Sequence, residues 1–153
     1  MKPTALTEAH HYKCWTEVTL RFGDTDALGH VNNAVFATMF EQGRTTAIFN
    51  GVESLSEPGT TFVLASLKLD FLEEMHFPGT VRVGTRIASF GRSSLKINQA
   101  LFLNEKCCAV SEEIIVLIDL KTRKSTPISA QHADYASSAV RLVPSHSKTA
   151  ASL

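Results

Sequence analysis

The chain has 153 residues, 44% of them hydrophobic and 20% charged, enough for one domain with a substantial core. Fifteen basic and fifteen acidic residues cancel, so the chain lacks the basic excess or stripe of a general nucleic-acid binder. No apolar run approaches the roughly 20 residues that span a bilayer, and the first residues, MKPTALTEAHHYK, lack the apolar stretch of a secretory signal.

Residues 1–11 are expected to be a flexible extension of a single domain covering 1–153. Three cysteines (Cys14, Cys107, Cys108) without CxxC spacing read as reduced thiols of a cytoplasmic protein. His10 and His11, with Cys14 close by, are expected to be solvated, not metal-bound. Trp15 to Phe22 alternates as a strand, with Trp15, Val18, Leu20 and Phe22 as its apolar positions. A polar junction follows, DTDALGHVNN, from Asp24 to Asn33. The next run, AVFATMFEQGRTTAIFNG, reads as a helix of about four to five turns, with Asn32 or Asn33 as N-cap and Gly51 as the C′ residue. At about 100° per residue, Val35, Phe36, Met39, Phe40, Gly43 and Ala47 share one face, while Glu41 and Arg44 fall towards the other.

Beyond a turn-rich loop (SEPGT) the pattern is β. Strands are expected over Thr61 to Phe71, Gly79 to Phe90, Ser94 to Asn104 and Lys106 to Asp119, with a hairpin turn at Asn104-Glu105. Lys121 to Lys124 reads as an exposed turn before a short segment at Ser125 to Ile128. AQHADYASSAVRLVP reads as a helix, and 144–153 as a disordered tail. One strand, one long helix and a succession of strands indicate an α+β fold, an antiparallel sheet packed on a central helix. Such a sheet covers one side of the helix, and its edges favour a dimer.

The junction concentrates chemistry. Asp26 lies a few residues before a helix N-terminus, whose free N–H groups carry roughly half a positive charge. A carbonyl placed over that end is polarised, and its developing oxyanion is stabilised. An ionised carboxylate beside it can attack the carbonyl or take a proton from water. Gly29 lets the backbone approach a ligand at the bend. The same Asp, Asn and Gly residues also suit an ordinary turn and N-cap, so without further information both readings stand.

FGDTDALGHVNNAVFATMFEQGR resembles the start of the central helix in hot-dog-fold thioesterases of the 4-hydroxybenzoyl-CoA thioesterase-like family. The family pattern D-x-D-x-x-G-[HI]-V-x-[NY], followed by an aromatic-bearing helix with E-x-x-R, is met by Asp24, Asp26, Gly29, His30, Val31, Asn33, Phe36, Glu41 and Arg44. KLDFLEEMHFPGTVRVGTRI, GRSSLKINQALF and EEIIVLIDLKTRKSTPI resemble its later strands, so the likeness covers about residues 15 to 135. It implies a hot-dog fold, a helix wrapped by an antiparallel sheet, in a homodimer or dimer of dimers whose active site lies between subunits and cleaves an acyl-CoA thioester. CoA enters as part of the substrate, and no cofactor or metal is implied. The resemblance makes Asp26 the nucleophile or general base and the Asn33 backbone N–H the carbonyl-polarising donor. Arg92, with Ser93, corresponds to a basic contact to CoA phosphates. Asp24 is expected to order the turn, and His30 and Asn32 to hold the loop or touch substrate. Glu41 is expected in a salt bridge or polar interface, with a place near the acyl pocket as the alternative. Phe36, Met39 and Phe40 are expected in the core, at most walling the pocket. Phe36 replaces a Tyr of many members and so removes a hydroxyl.

HFPG, His76 to Gly79, is identical to part of the signature of hot-dog acyl-carrier-protein dehydratases. There the histidine precedes the central helix, whose Glu or Asp completes the dyad. Here it follows the helix, and Pro78-Gly79 reads as a turn. Two other readings stay open: a thioesterase for acyl groups presented on a carrier protein, which the zero net charge does not favour, and a non-catalytic acyl-CoA-binding protein, against which Asp26 stands.

Overall fold

The computed structural model describes residues 5–49 and 56–130. Its regular elements are β1 (Cys14–Thr19), α1 (Asn33–Phe49), β2 (Thr60–Phe71), β3 (Thr80–Phe90), β4 (Ser94–Leu103) and β5 (Lys106–Asp119). The strands form one antiparallel sheet in the order β1-β3-β4-β5-β2, and α1 lies across β1, β3 and β4. This is the hot-dog arrangement. The β4–β5 hairpin turns on Asn104 and Glu105, both left-handed (φ 51° and 66°), the two-residue geometry that matches the sheet's twist. Ser125 bridges to Ile118, and the exposed turn before it is tied by Asp119 Oδ1, which accepts from the N–H groups of Lys121 and Thr122.

Gly43 sets the depth of the helix. A Cβ there would stand 2.4 Å from Val83 Cγ1 and 2.9 Å from Gln99 Nε2, so only glycine lets the helix settle this close to the sheet. Phe36, Met39 and Phe40 bury against Val81, Val83 and Leu101 in one core cluster. The seam shifts further along. Ile48, not Ala47, is buried, joining Phe62, Leu95, Ile97 and Ile115 in a second cluster under the sheet's other half. The same shift draws Arg44 inward. Expected on the outward side, its side chain is only 12% exposed, and its Nη1 donates to Glu113 Oε2 at 2.7 Å.

Two further sequence expectations are corrected here. The first strand stops at Thr19, and Phe22 begins a 3-10 turn (Phe22–Asp24), 76% exposed and edge-on to Phe77. Leu20 N–H still follows the β1–β3 register, donating to the carbonyl of Gly79 at 2.8 Å, before the chain leaves the sheet. Residues 5–11, expected as a flexible extension, form two 3-10 turns against the sheet's outer face. Gly84 makes the docking possible, since a Cβ there would lie 2.7 Å from Tyr12 Cγ, and the Tyr12 hydroxyl donates to Leu6 O at 2.5 Å. Of the two N-cap candidates Asn32 takes the role: its Oδ1 accepts from Ala34 N–H at 2.9 Å. Gly51, nearly all of the expected C-terminal helix and the tail lie outside the described residues. Among the described residues no helix is long and apolar enough to cross a membrane.

Candidate active site

The junction folds into a tight loop because its polar residues bond to one another. Asp24 is 5% exposed and accepts from Arg21 twice, from the backbone N–H at Oδ2 and from the guanidinium Nη2 at Oδ1, each at 2.8 Å. That guanidinium hydrogen bond first, and the backbone one second, hold its carboxyl below the usual carboxylate range. The Asp24 carbonyl receives Asn32 N–H at 2.9 Å, and Thr25 bridges to Val31. Inside this frame Asp26 N–H donates to His30 O, and Gly29 N–H donates to Asp26 O, both at 3.0 Å. Gly29 has φ 85°, a left-handed value that favours glycine.

Asp26 is thereby presented edge-on. Its Oδ1 accepts from Leu28 N–H at 2.9 Å, while Oδ2 faces the His30 ring, 3.9 Å from Nδ1. A few residues on, Asn33 opens the helix. Among the described residues its N–H meets no protein acceptor, as suits a first helical residue. A cleft of about 270 Å³ lies there, lined by His30, Asn33, Phe36, Phe71, Glu73 and Glu74 among others. Phe36 is buried, and its ring meets that of half-exposed Phe71 at 5.2 Å.

The loop is clasped by the connector between β2 and β3. Val31 N–H donates to Met75 O at 2.8 Å, and His76 Nδ1 lies 3.2 Å from Gly29 O. Met75 is fully buried, which fixes the residues beside it. Glu74 consequently stands between two imidazoles, 3.8 Å from His30 Nε2 and 3.5 Å from His76 Nε2. Sequence reasoning missed Glu74 and Phe71, and weighed His76 only as part of a dehydratase signature, not as a clasp on this loop. The available signal was a lone methionine among charged residues in EEMHF, which reads as an anchor only once the loop it anchors to is known. HFPG forms a turn, with Phe77–Pro78 cis. The carboxylate beside His76 is Glu74 of its own connector, not one on α1, so the dehydratase dyad is not assembled.

The other candidates sit elsewhere. Glu41 is exposed, makes no ion pair among the described residues, and borders a different cleft of about 240 Å³ beside Arg44 and Phe62. Arg92 and Ser93 form the β3–β4 turn, where their carbonyls accept from Ile128 and Leu117 N–H at 2.8 Å. On β5, Ala109 pairs with Phe71 beside the cleft and Val116 pairs with Ser94 beside that turn. Seven residues of strand separate them, about 24 Å. One protomer does not bring Arg92 to Asp26. His10, His11 and Cys14 border a cavity at the far end of α1, and among the described residues no three His, Cys, Asp or Glu side chains are placed to hold a metal.

Comparison with known proteins agrees with this fold. The chain is similar to a thioesterase from Thermus thermophilus, solved in complex with coenzyme A and Zn, at 30% identity and a TM-score of 0.73, covering 88% of this chain and 98% of that one. It is similar to a predicted thioesterase from Bacillus stearothermophilus at 26% identity and a TM-score of 0.74, covering 82% and 94%. It is also 30% identical over 88 residues to the uncharacterized protein YsmA of Bacillus subtilis (strain 168). That match covers 57% of this chain and 59% of that protein's length. The profile of the Thioesterase-like superfamily matches residues 20–136, and the chain belongs to that superfamily.

Proposed function

We propose that the chain hydrolyses acyl-CoA thioesters to a free acid and CoA, with Asp26 as the reacting carboxylate and the Asn33 N–H as the donor to the thioester carbonyl. The observation that carries this reading is the pairing at the head of α1. A carboxylate with one oxygen tied to Leu28 N–H and the other turned to His30 lies in the loop leading to an unpartnered helix N–H. A donor aimed at a developing oxyanion is worth roughly 3–4 kcal/mol in other enzymes. Asp26 has two chemical routes. It takes a proton from water as the water oxygen adds to the carbonyl carbon, or it adds to that carbon itself and water opens the resulting anhydride. In both the C–S bond breaks, the thiolate leaves and takes up a proton, and one water is consumed. Coenzyme A as the thiol draws support from the Thermus relative, which was solved with it.

A homodimer belongs to the same proposal. Among the described residues the outer edge of β2 has no strand beside it, and β2 carries exposed Leu64, Leu67 and Phe71. Antiparallel pairing with a second copy about a two-fold axis puts the far end of that copy's sheet beside this chain's Phe71. That supplies an Arg92 which the chain's own turn, about 24 Å away, does not.

The test is CoA release, followed by chromatography, from short, long and aromatic acyl-CoA esters. Asp26→Ala is expected to lose turnover by about three orders of magnitude while keeping its fold and its affinity for the ester. Near-normal turnover by that variant would sink the proposal. Hydrolysis of an acyl-carrier-protein ester far faster than the matching CoA ester would move the substrate to the carrier.

A further inference from the structure

A cavity of about 480 Å³ lies at the opposite end of α1 from Asp26. Fifteen residues of helix separate Asn33 from Ile48 on its wall, about 22 Å at 1.5 Å per residue. The cavity exists because the two strands differ in length. β1 begins at Cys14, opposite Thr85, whereas β3 runs on to Phe90 with no strand of the described residues beside it on that flank. The chain before Cys14 crosses to the outer face instead, where Tyr12 packs on Gly84. Ile48, Ile87 and Ala88 give the opening an apolar floor, and His10, His11, Lys13 and Arg86 stand around it.

The charge is one-sided. Among the described residues no acidic one lines the cavity, and neither Lys13 nor Arg86 takes part in an ion pair. The two cations beside low-dielectric walls concentrate a positive potential in the opening. A guanidinium accepts a carboxylate in a planar two-bond match. The volume falls within the range of small-molecule sites, roughly 300–1,000 Å³. From the two cations, the apolar floor and the volume together, we infer that this cavity is a second ligand site, for a medium-chain carboxylate whose head meets Lys13 and Arg86 and whose chain lies on Ile48 and Ile87. A bound acid bridges the 3-10 turn at His10–His11 to the last turn of α1. The acids released by thioester hydrolysis are of this class, a connection that rests on the function proposed above. The binding itself does not.

Calorimetric titration of the full chain with sodium octanoate, with 1-octanol as the uncharged counterpart, tests it. Octanoate is expected to bind at least tenfold tighter than octanol, and equally well to wild type and to Asp26→Ala. Arg86→Gln and Lys13→Gln, each checked for fold by circular dichroism, are expected to weaken octanoate binding at least tenfold. Absence of octanoate binding overturns the inference, as does equal affinity for octanol. Unchanged affinity in both Arg86→Gln and Lys13→Gln would put the acid elsewhere and overturn it too. None of these readouts depends on turnover, so the hydrolase reading and this one fail separately.

Discussion

At its head α1 offers an N–H to an open cleft, and the Asp26 carboxylate stands in the loop that leads to it. At its middle it offers Arg44 to Glu113 under the cover of β5. The polar groups at the two places are treated in opposite ways. Glu113 is 1% exposed and has a donor on each oxygen, Arg44 Nη1 at 2.7 Å and Ser111 Oγ at 2.8 Å. Among the described residues Asp26 has a donor on Oδ1 only, and Asn33 N–H meets no acceptor. Buried polar groups that satisfy one another hold a fold in one arrangement. Polar groups left with open valences at a cleft are available to a substrate.

That contrast is broken or sharpened most forcefully at Asp26. Asp26→Asn is expected to lower kcat about a thousandfold, roughly 4 kcal/mol of transition-state stabilisation, with an unfolding midpoint within a degree or two of wild type. Arg44→Ala is expected to do the reverse. It leaves the Glu113 carboxylate buried without its cation, a loss of about 3–5 kcal/mol of stability, while kcat per folded molecule stays near wild type. Denaturant titration measures the loss. The double change Arg44→Met, Glu113→Leu, which removes both charges and keeps the volume, should recover most of it. A large kcat change in Arg44→Ala at full folding would show that the two regions are coupled.

Much of this contrast was legible in sequence, and its limits have physical causes. The four later strands alternate or run apolar between turn residues, and the helix has one apolar face, so both followed from local periodicity. The Asp26 loop was legible as a motif, because its bonds are local: Leu28 to Asp26, Gly29 to Asp26 and Ala34 to Asn32 all lie within three residues. The connector was not. His76 meets Gly29 across 47 residues, and Arg44 meets Glu113 across 69, distances over which no periodicity carries information. The docking of residues 5–11 depends on a missing Cβ at Gly84, which in sequence is one more glycine in a strand.

Asn32 belongs partly to each region, since it caps the helix and borders the site. Its Oδ1 satisfies Ala34 N–H while its carbonyl receives Val35 N–H at 2.9 Å. Asn32→Ala is expected to cost about 1 kcal/mol in thermal or denaturant unfolding. Because the frayed turn carries Asn33, kcat should fall as well, by about threefold to tenfold, with less effect on KM. Asn32→Asp and Asn32→Ser, which keep an acceptor at the cap, should restore stability.

The smallest effects are those of pH, and they separate two buried carboxyls by sign. Asp24 is held below the usual carboxylate range, first by the Arg21 guanidinium and then by the Arg21 N–H. Its contribution to stability is present above the unfolded pKa of about 3.9 and is lost as pH falls through the lower folded value. Glu113 is shifted the other way, because burial outweighs Arg44 and Ser111 and raises its carboxyl. Its contribution is complete below the unfolded pKa of about 4.3 and is lost as pH rises from there through the folded value. Unfolding midpoints followed from acid to neutrality should therefore respond in different windows. Asp24→Asn should flatten the decline on the acid side, because it removes the group whose protonation drives that decline. Glu113→Gln should flatten the change between mildly acid and neutral pH and leave the acid limb standing. If both variants altered the same limb, the opposite treatment of these two carboxyls, one held by a local guanidinium and one desolvated under the helix, would be wrong.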